Sequence, residues 1–305
     1  FVKSKKTEWY KGTANAVYQN ISFIERYKPL YVMVLSGDHI YKMDYAKMLE
    51  YHKEKKSECT IAVRDVPIEE ASRFGIMTLG KGNAVTKFDE KPRHPDSTKA
   101  SMGIYIFNWR ILKQYLIDDE NDDKSTNDFG KNIIPSLLED RRRIFGYLFD
   151  GYWKDVGTIT SLWEANMDLL GTDEKAFDLK DPDFKIYATN YAKPASFISK
   201  TSVIEHSLIA EGCSIFGNVK NSVVSTGCVI EENAEIINSV VMPDAVVDKY
   251  AAVKYSIIGE KARIGKNAKI GDIPDFFSKG EWGIAVVGNK KEVSNNTAVK
   301  SDEII

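Results

Sequence analysis

Short apolar runs alternate with longer amphipathic stretches from Lys11 to about Leu170. The run Tyr31-Val-Met-Val-Leu35 has the length of a strand and is apolar throughout, which predicts a strand buried on both faces. Thr60-Ile-Ala-Val63 predicts a second buried strand, and helices are predicted from Gly12 to Tyr27 and from Met43 to Lys55. This alternation favours an α/β domain with a mostly parallel sheet.

After residue 190 the pattern changes to a repeat with a spacing close to six. An isoleucine or a valine stands at 198, 204, 209, 215, 219, 224, 230, 236, 241, 247, 253, 258, 264 and 270, with glycines and small residues between. Hexapeptide spacing of this kind predicts a parallel β-helix in which each inward aliphatic side chain stacks on its equivalent one coil later. An amphipathic helix fits poorly, because a period near six matches no helical face and glycine disfavours helices.

Domain boundaries follow from this change of pattern. We expect an α/β domain over residues 1–170, a linker over 171–190, the β-helix over 191–273 and a tail over 274–305. Within the tail, Ile284-Ala-Val-Val287 has the composition of one more strand.

Composition excludes several classes of protein. Hydrophobic residues at 43% and charged residues at 28% argue against a disordered or fibrous chain. Lysine and arginine number 42 against 44 acidic residues, a net charge of −2, so a general nucleic-acid binder is not expected. Three cysteines (Cys59, Cys213 and Cys228) are too few for a disulfide framework or a zinc cluster and favour the cytoplasm. No apolar stretch is long enough to predict a membrane span.

Two aspartates are the first candidates for chemistry. Asp38 follows a buried strand, where ligands of open α/β sheets bind, but it could equally cap the next helix. Asp155 lies among aromatic residues just before Gly157. Together the two carboxylates would suit Mg²⁺, which takes one or two carboxylates plus phosphate oxygens, although sequence spacing does not show that they meet.

Lys91 is a candidate phosphate ligand. It stands in Glu90-Lys-Pro92, where the proline predicts an extended conformation for the lysine. A solvated lysine at the end of a strand is the alternative. His39 and His206 are predicted to be structural, although His206 also resembles the catalytic histidine of hexapeptide acyltransferases.

Seven segments occur in the same order as the successive signatures of a known family: Trp9-Tyr-Lys-Gly-Thr-Ala-Asn-Ala16, Ser36-Gly-Asp-His-Ile-Tyr41, Val66-Pro-Ile-Glu-Glu-Ala-Ser72 with Phe74-Gly75, Phe88-Asp-Glu-Lys-Pro92, Ala100-Ser-Met-Gly-Ile-Tyr105, Asp128-Phe-Gly130 and Tyr152-Trp-Lys-Asp-Val-Gly-Thr158. They resemble the bacterial glucose-1-phosphate adenylyltransferases, also called ADP-glucose pyrophosphorylases. Trp9-Tyr10 and Gly37-Asp-His-Ile-Tyr41 are similar to the adenylyl branch of the sugar nucleotidyltransferases.

The resemblance implies a fold and a reaction. The fold is a Rossmann-like α/β nucleotidyltransferase domain followed by a left-handed parallel β-helix. The implied reaction converts ATP and glucose 1-phosphate to ADP-glucose and diphosphate for glycogen biosynthesis, with Mg²⁺. The resemblance also implies an allosteric enzyme that forms a homotetramer.

The resemblance also implies roles for individual residues. Asp38 matches the catalytic, metal-holding aspartate, Asp155 its second carboxylate, and Lys91 a catalytic ligand of the sugar phosphate. The remaining matches to glucose 1-phosphate contacts are Tyr10, Gly75, Glu90 and Ser101. The nucleotide side matches Gly12, Thr13 and Ala14. Arg26 aligns with an effector contact, although an arginine at the end of a helix could equally be structural.

One family feature is missing from this sequence. The family has a glycine-rich loop of the form G-G-G-x-G-x-R-L, whose amides hold the triphosphate, and no such run occurs here. We therefore expect the α/β domain to be N-terminally incomplete and the chain as given to be inactive alone. The alternatives are a non-catalytic regulatory or partner subunit and an acyltransferase that uses His206.

Overall fold

A computed structural model describes residues 9–171, 179, 181–182, 184–187, 192–274 and 283–305. The chain forms two compact units. The first comprises the described residues up to Gly37 and Lys42–Gly151, and the second comprises Asp38–Tyr41 and the described residues from Tyr152 onwards. Most of the linker predicted over 171–190 lies outside the described residues.

The following helices occur up to residue 170: α1 (Thr13–Tyr18), α2 (Ile21–Glu25), α3 (Tyr45–Glu54), α4 (Ile68–Ala71), α5 (Trp109–Glu120), α6 (Ile134–Glu139) and α7 (Ile159–Met167). Short 3₁₀ turns cover Lys81–Asn83 and Asp168–Leu170, and a π-helical turn covers Phe129–Ile133. The strands of this region are β1 (Tyr31–Val34), β2 (His39–Tyr41), β3 (Cys59–Asp65), β4 (Gly75–Leu79), β5 (Val85–Glu90), β6 (Lys99–Asn108), β7 (Ile144–Leu148) and β8 (Trp153–Asp155). In the described part of the chain, none of the helices has both the length and the apolar character needed to cross a bilayer.

The sheet of the first unit is mixed, whereas the sequence predicted a mostly parallel one. Its strand order is β5-β4-β6-β3-β7, and β1 also pairs with β6. Strand β6 runs antiparallel to β1, β3 and β4, and β4 runs antiparallel to β5; β3 and β7 form a parallel pair. The apolar runs report burial and not direction, and the short turn between β4 and β5 requires an antiparallel pair.

Strand β1 differs from its prediction as well. All four of its residues are only partly buried, although the apolar run predicted burial on both faces. Among the described residues β1 pairs only with β6, so one edge of the strand has no neighbouring strand. The second prediction is confirmed, because Cys59–Val63 of β3 is fully buried.

The helix predicted from Gly12 to Tyr27 is broken into α1 and α2. At the break, the Asn20 side-chain amide donates to the carbonyl of Ala16 at 2.8 Å, a local bond that competes with helix continuation. The helix predicted from Met43 is confirmed as α3, and the Asp44 side chain caps it by accepting from the N–H of Ala46 at 2.9 Å.

The hexapeptide region is a left-handed parallel β-helix. Its strands are β9 (Phe197–Ile198), β10 (Ile204–Glu205), β11 (Leu208–Ile209), β12 (Ser214–Ile215), β13 (Asn218–Lys220), β14 (Val223–Val224), β15 (Val229–Ile230), β16 (Glu235–Ile237), β17 (Val240–Val241), β18 (Val246–Val247), β19 (Ala252–Lys254), β20 (Ser256–Ile258), β21 (Arg263–Ile264), β22 (Lys269–Ile270), β23 (Ala285–Val287), β24 (Glu292–Val293) and β25 (Ala298–Val299).

Three parallel sheets form the faces of the β-helix. Val219 pairs with Ile236, and Ile236 pairs with Val253, so equivalent residues recur one coil apart and stack their side chains in a buried core. Strands β23, β24 and β25 extend the same three sheets. The β-helix therefore continues beyond residue 273, the end predicted from the sequence. The residues between β22 and β23 interrupt the hexapeptide spacing, but the coils on either side of them still stack.

Candidate active site

Strands β2 and β8 bring Asp38 and Asp155 together within the second unit. The two strands are antiparallel, with His39 opposite Asp155 and Ile40 opposite Lys154. The pairing extends one step further, because the N–H of Val156 donates to the carbonyl of Asp38 at 3.0 Å. A short backbone ladder therefore holds two aspartates that are distant in sequence.

The two carboxylates lie around Gly157. The N–H of Gly157 donates to Oδ1 of Asp155 at 2.8 Å. A Cβ built on this glycine would lie 3.1 Å from Oδ1 of Asp155 and 3.6 Å from Oδ2 of Asp38. Asp38 is exposed and Asp155 is half-buried, so both carboxylates are accessible from solvent.

This donor set fits a hard divalent cation. One potential ligand atom from each of Asp38, His39 and Asp155 lies within 4.8 Å of the others. Carboxylate oxygens are the preferred protein ligands of Mg²⁺. Asp38 is not the cap of the following helix, since Asp44 has that role.

A second candidate cluster surrounds Glu90 in the first unit. The Glu90 carboxylate lies over two glycines: a Cβ on Gly75 would be 2.9 Å from its Oε2, and a Cβ on Gly130 would overlap the same oxygen. Within the described part of the chain, no hydrogen bond to this carboxylate is formed. Burial, together with the nearby charge of Asp128, raises the pKa of Glu90. A half-buried acceptor of this kind suits a hydroxyl-bearing ligand.

Asp128 organises the turn beside Glu90. Its Oδ1 accepts from the N–H groups of Gly130 and Lys131 at 2.9 and 3.0 Å, and its Oδ2 accepts from the Thr13 hydroxyl at 3.1 Å. The segment Asp128-Phe-Gly130 is one of the seven segments that resemble the family, but no role was predicted for Asp128 or Gly130. The signal in the sequence was an acidic residue two positions before a glycine.

Lys91 has a backbone conformation that the sequence did not predict. Its φ is +48°, in the left-handed region, whereas the following Pro92 predicted an extended residue. The N–H of Lys91 donates to the carbonyl of Phe74 at 3.1 Å, which holds the chain in a turn directly after β5. The side chain is exposed.

Ser101 lies on β6 and is buried. Its hydroxyl donates to the phenol oxygen of Tyr105 at 3.4 Å and accepts from the N–H of Gly103 at 3.2 Å. Tyr105 is stacked on Phe129, and burial raises the pKa of its phenol well above the usual range. Ser101 thus lies in the wall of the first-unit core.

A cleft of about 600 Å³ opens beside Glu90. Its wall includes the cationic side chains of Arg93 and Lys131 together with His94, none of which the sequence analysis selected. The positive charge of Lys131 lowers the pKa of Glu90 and so acts against the rise caused by burial. Basic groups beside a hydroxyl acceptor are suited to a sugar phosphate.

The predicted nucleotide-side residues are packed against the loop at 126–129. A Cβ on Gly12 would overlap the carbonyl oxygen of Asn127, and the N–H of Ala14 donates to that oxygen at 2.8 Å. The Thr13 hydroxyl accepts from the N–H of Phe129 at 3.1 Å, and Ala14 is buried. Tyr10 is exposed, with its hydroxyl accepting from the Asn20 amide at 3.4 Å.

Two further candidates stand outside these clusters. Arg26 is exposed and follows the last residue of α2. His206 has a φ of +42° and occupies the same turn position as Asn221, whose side chain it contacts at 3.1 Å. The next two coils have Asn238 and Tyr255 there, also with positive φ. This repetition supports a turn role for His206 and gives no support to an acyltransferase.

Comparison with known proteins agrees with this architecture. Residues 2–172 match the family described as nucleotidyl transferase, and residues 193–287 match the family described as GlmU-like, C-terminal hexapeptide. The chain therefore contains a nucleotidyltransferase domain followed by a hexapeptide domain.

Curated relatives match over most of the chain. A glucose-1-phosphate adenylyltransferase of Acetivibrio thermocellus is 47% identical over 310 residues, which cover 100% of this chain and 72% of the relative. Proteins of the same name from Clostridium perfringens and Bacillus cereus are 51% and 50% identical, covering 98% and 86% of this chain and 76% and 69% of the relatives. The chain belongs to the glucose-1-phosphate adenylyltransferase family.

Proposed function

We propose that this chain is a glucose-1-phosphate adenylyltransferase, which makes ADP-glucose and diphosphate from ATP and glucose 1-phosphate for glycogen biosynthesis. The observation that carries the proposal is that the pairing of strands β2 and β8 places the carboxylates of Asp38 and Asp155 within 4.8 Å of each other. A non-catalytic partner subunit would have no need of two accessible carboxylates around one glycine. The family membership supports the same substrates.

In the reaction, a phosphate oxygen of glucose 1-phosphate forms a bond to the α-phosphorus of ATP. The bond from the α-phosphorus to the bridging oxygen breaks, and diphosphate leaves with that electron pair. The attacking phosphate is already anionic, so no general base is needed. Catalysis then rests on positioning and on stabilising negative charge.

Asp38 and Asp155 are the residues that would hold a divalent cation, and we propose Mg²⁺ as that ion. Nucleotidyltransferases use divalent ions, which when bound neutralise phosphate charge and stabilise the leaving group. The carboxylate of Asp155 is held by the N–H of Gly157, and the backbone of Asp38 is held by Val156. The chain itself therefore positions the Asp155 carboxylate and the Asp38 backbone.

The cluster in the first unit would bind the sugar phosphate. Glu90 would accept hydrogen bonds from sugar hydroxyls, because its half-buried carboxylate has no other hydrogen-bond donor among the described residues. Lys91 would contribute its charge to the phosphate, as the resemblance implies. Gly75 would keep the space beside Glu90 open.

The test is the formation of ADP-glucose by the complete gene product that contains this chain. We expect diphosphate release with ATP and glucose 1-phosphate in the presence of MgCl₂, and much less with UTP, CTP, GTP or dTTP. A preference for another nucleotide, or no release with any of them, would overturn the proposal.

Assembly and location belong to the same proposal. We expect a cytoplasmic homotetramer, as the resemblance implies. Light scattering on the purified protein tests the assembly, and a mass equal to one or two chains would contradict it. Cell fractionation tests the location.

A further inference from the structure

His39 lies between the proposed metal carboxylates and a tryptophan. Its ring meets that of Trp153 edge to face, with centroids 5.4 Å apart and an interplanar angle of 83°. The indole Nε1 of Trp153 is 3.3 Å from Nδ1 of His39, and Nε2 of His39 is 3.8 Å from Oδ1 of Asp38. The two ring nitrogens therefore face different partners.

These contacts determine where the imidazole proton is. An indole N–H can only donate, so Nδ1 of His39 must accept and cannot itself carry a proton. A neutral ring then carries its proton on Nε2, the nitrogen that faces Asp38. A metal ion needs a lone pair, and with Trp153 in place neither nitrogen offers one to the ion.

We propose that Trp153 fixes His39 as the Nε2–H tautomer, and that His39 is a positioning residue for Asp38 and not a third metal ligand. The inference rests on the proposed function, in which Asp38 and Asp155 hold the ion. At 3.8 Å the N–H is too far from Oδ1 for a full hydrogen bond, and the attraction is that of a dipole for a charge. Such contacts commonly tighten when substrates bind. Asp155 lies directly opposite His39 on β8 and would supply the second carboxylate ligand of the metal.

The tautomer can be read directly by nuclear magnetic resonance of protein labelled with ¹⁵N-histidine. The chain has four histidines, so each signal can be assigned by comparison with single variants such as His39→Gln and His206→Gln. We expect an unprotonated Nδ1 and a protonated Nε2 for His39 without metal, and the same state after MgCl₂ is added. An Nδ1–H tautomer, or loss of the Nε2 proton on adding MgCl₂, would overturn the proposal.

Trp153→Phe tests the cause of the tautomer. It removes the indole N–H but keeps an aromatic ring, so the His39 signals should move towards a mixture of tautomers. Trp163→Phe is the matched control, because its indole N–H donates to the carbonyl of Asn238 and should leave His39 unchanged. Unchanged His39 signals in Trp153→Phe would contradict the role of the tryptophan.

Binding of Mn²⁺, followed by electron paramagnetic resonance without nucleotide, tests the consequence. We expect His39→Ala to weaken binding by about tenfold, in the range found for residues that orient metal ligands. His39→Gln should restore most of the affinity, because its amide can donate where Nε2–H did. Equal loss in both variants would contradict the donor role. If Asp38→Asn and Asp155→Asn leave Mn²⁺ binding intact, the proposed metal site fails while the tautomer result stands.

Discussion

The carboxylate of Glu90 occupies the space that a side chain on Gly130 would need. Gly130 lies in the turn capped by Asp128 and is buried. The close approach leaves the acid half-buried, with its pKa raised. The glycine thus determines how the proposed sugar ligand is presented.

Gly130→Ala is expected to displace Glu90 and to weaken glucose 1-phosphate binding. Its new methyl group would overlap Oε2 of Glu90, so we expect KM for the sugar phosphate to rise by about tenfold, equivalent to about 1.4 kcal/mol. KM for ATP should change much less. Gly80→Ala is the control, since a Cβ there would lie 3.0 Å from the Thr86 side chain and 3.7 Å from the carbonyl oxygen of Ala84, with no contact to Glu90. An unchanged sugar-phosphate KM in Gly130→Ala would contradict this arrangement.

Asp38→Asn and Asp44→Ala separate the two roles open to an aspartate after a strand. Asp38→Asn should reduce turnover by about 10³-fold, the scale of losing one electrostatic contribution to a transition state, with little change in melting temperature. Asp44→Ala removes the cap of α3 and should cost about 1 kcal/mol of unfolding free energy while turnover is retained. Steady-state rates and urea unfolding measure both effects. Full activity in Asp38→Asn would remove the basis of the catalytic assignment.

Lys91 offers a test of function against backbone strain. Lys91→Ala and Lys91→Gly both remove the charge, so both should raise KM for glucose 1-phosphate to a similar extent. Because φ is +48° at this residue, Lys91→Gly should be more stable than Lys91→Ala by about 1 kcal/mol. Urea unfolding of the two variants gives the comparison. Equal stability would mean that the turn relaxes around alanine.

The β-helix was predictable from sequence because its fold is periodic. Each inward Ile or Val repeats a local pattern, and stacking follows from the repeat alone. The proximity of Asp38 to Asp155 was not predictable from spacing. It requires β2 to pair with β8, and most of the first unit's sequence lies between these two strands.

The direction of β6 and the conformation of Lys91 were also beyond sequence patterns. Apolar content does not indicate which way a strand runs, and β6 runs antiparallel to β1, β3 and β4 where a mostly parallel sheet was expected. The proline after Lys91 favoured an extended residue, but the hydrogen bond from its N–H to Phe74 holds a left-handed turn instead. In both cases the tertiary contact outweighed the local preference.

Glu90→Gln is expected to weaken glucose 1-phosphate binding and to make the folded state more stable at pH 7. Burial raises the pKa of Glu90 above its ordinary 4.5, so the folded state holds this proton more tightly than the unfolded state. Relative to neutral pH, this proton stabilises the folded state, and the stabilisation is complete below pH 4.5. It is lost as pH rises through the folded pKa, because the half-buried acid then becomes charged. Glutamine has no charge to desolvate, so Glu90→Gln should be more stable than the wild type at pH 7 and should lose this component of the pH dependence. The KM of Glu90→Gln for glucose 1-phosphate should rise, because an amide oxygen accepts weaker hydrogen bonds from sugar hydroxyls than a carboxylate does. Urea unfolding between pH 4 and 8, with KM measured at pH 7 on the same samples, tests both. A Glu90→Gln variant less stable than the wild type at pH 7 would contradict this prediction. It would show that favourable contacts of the Glu90 carboxylate stabilise the fold.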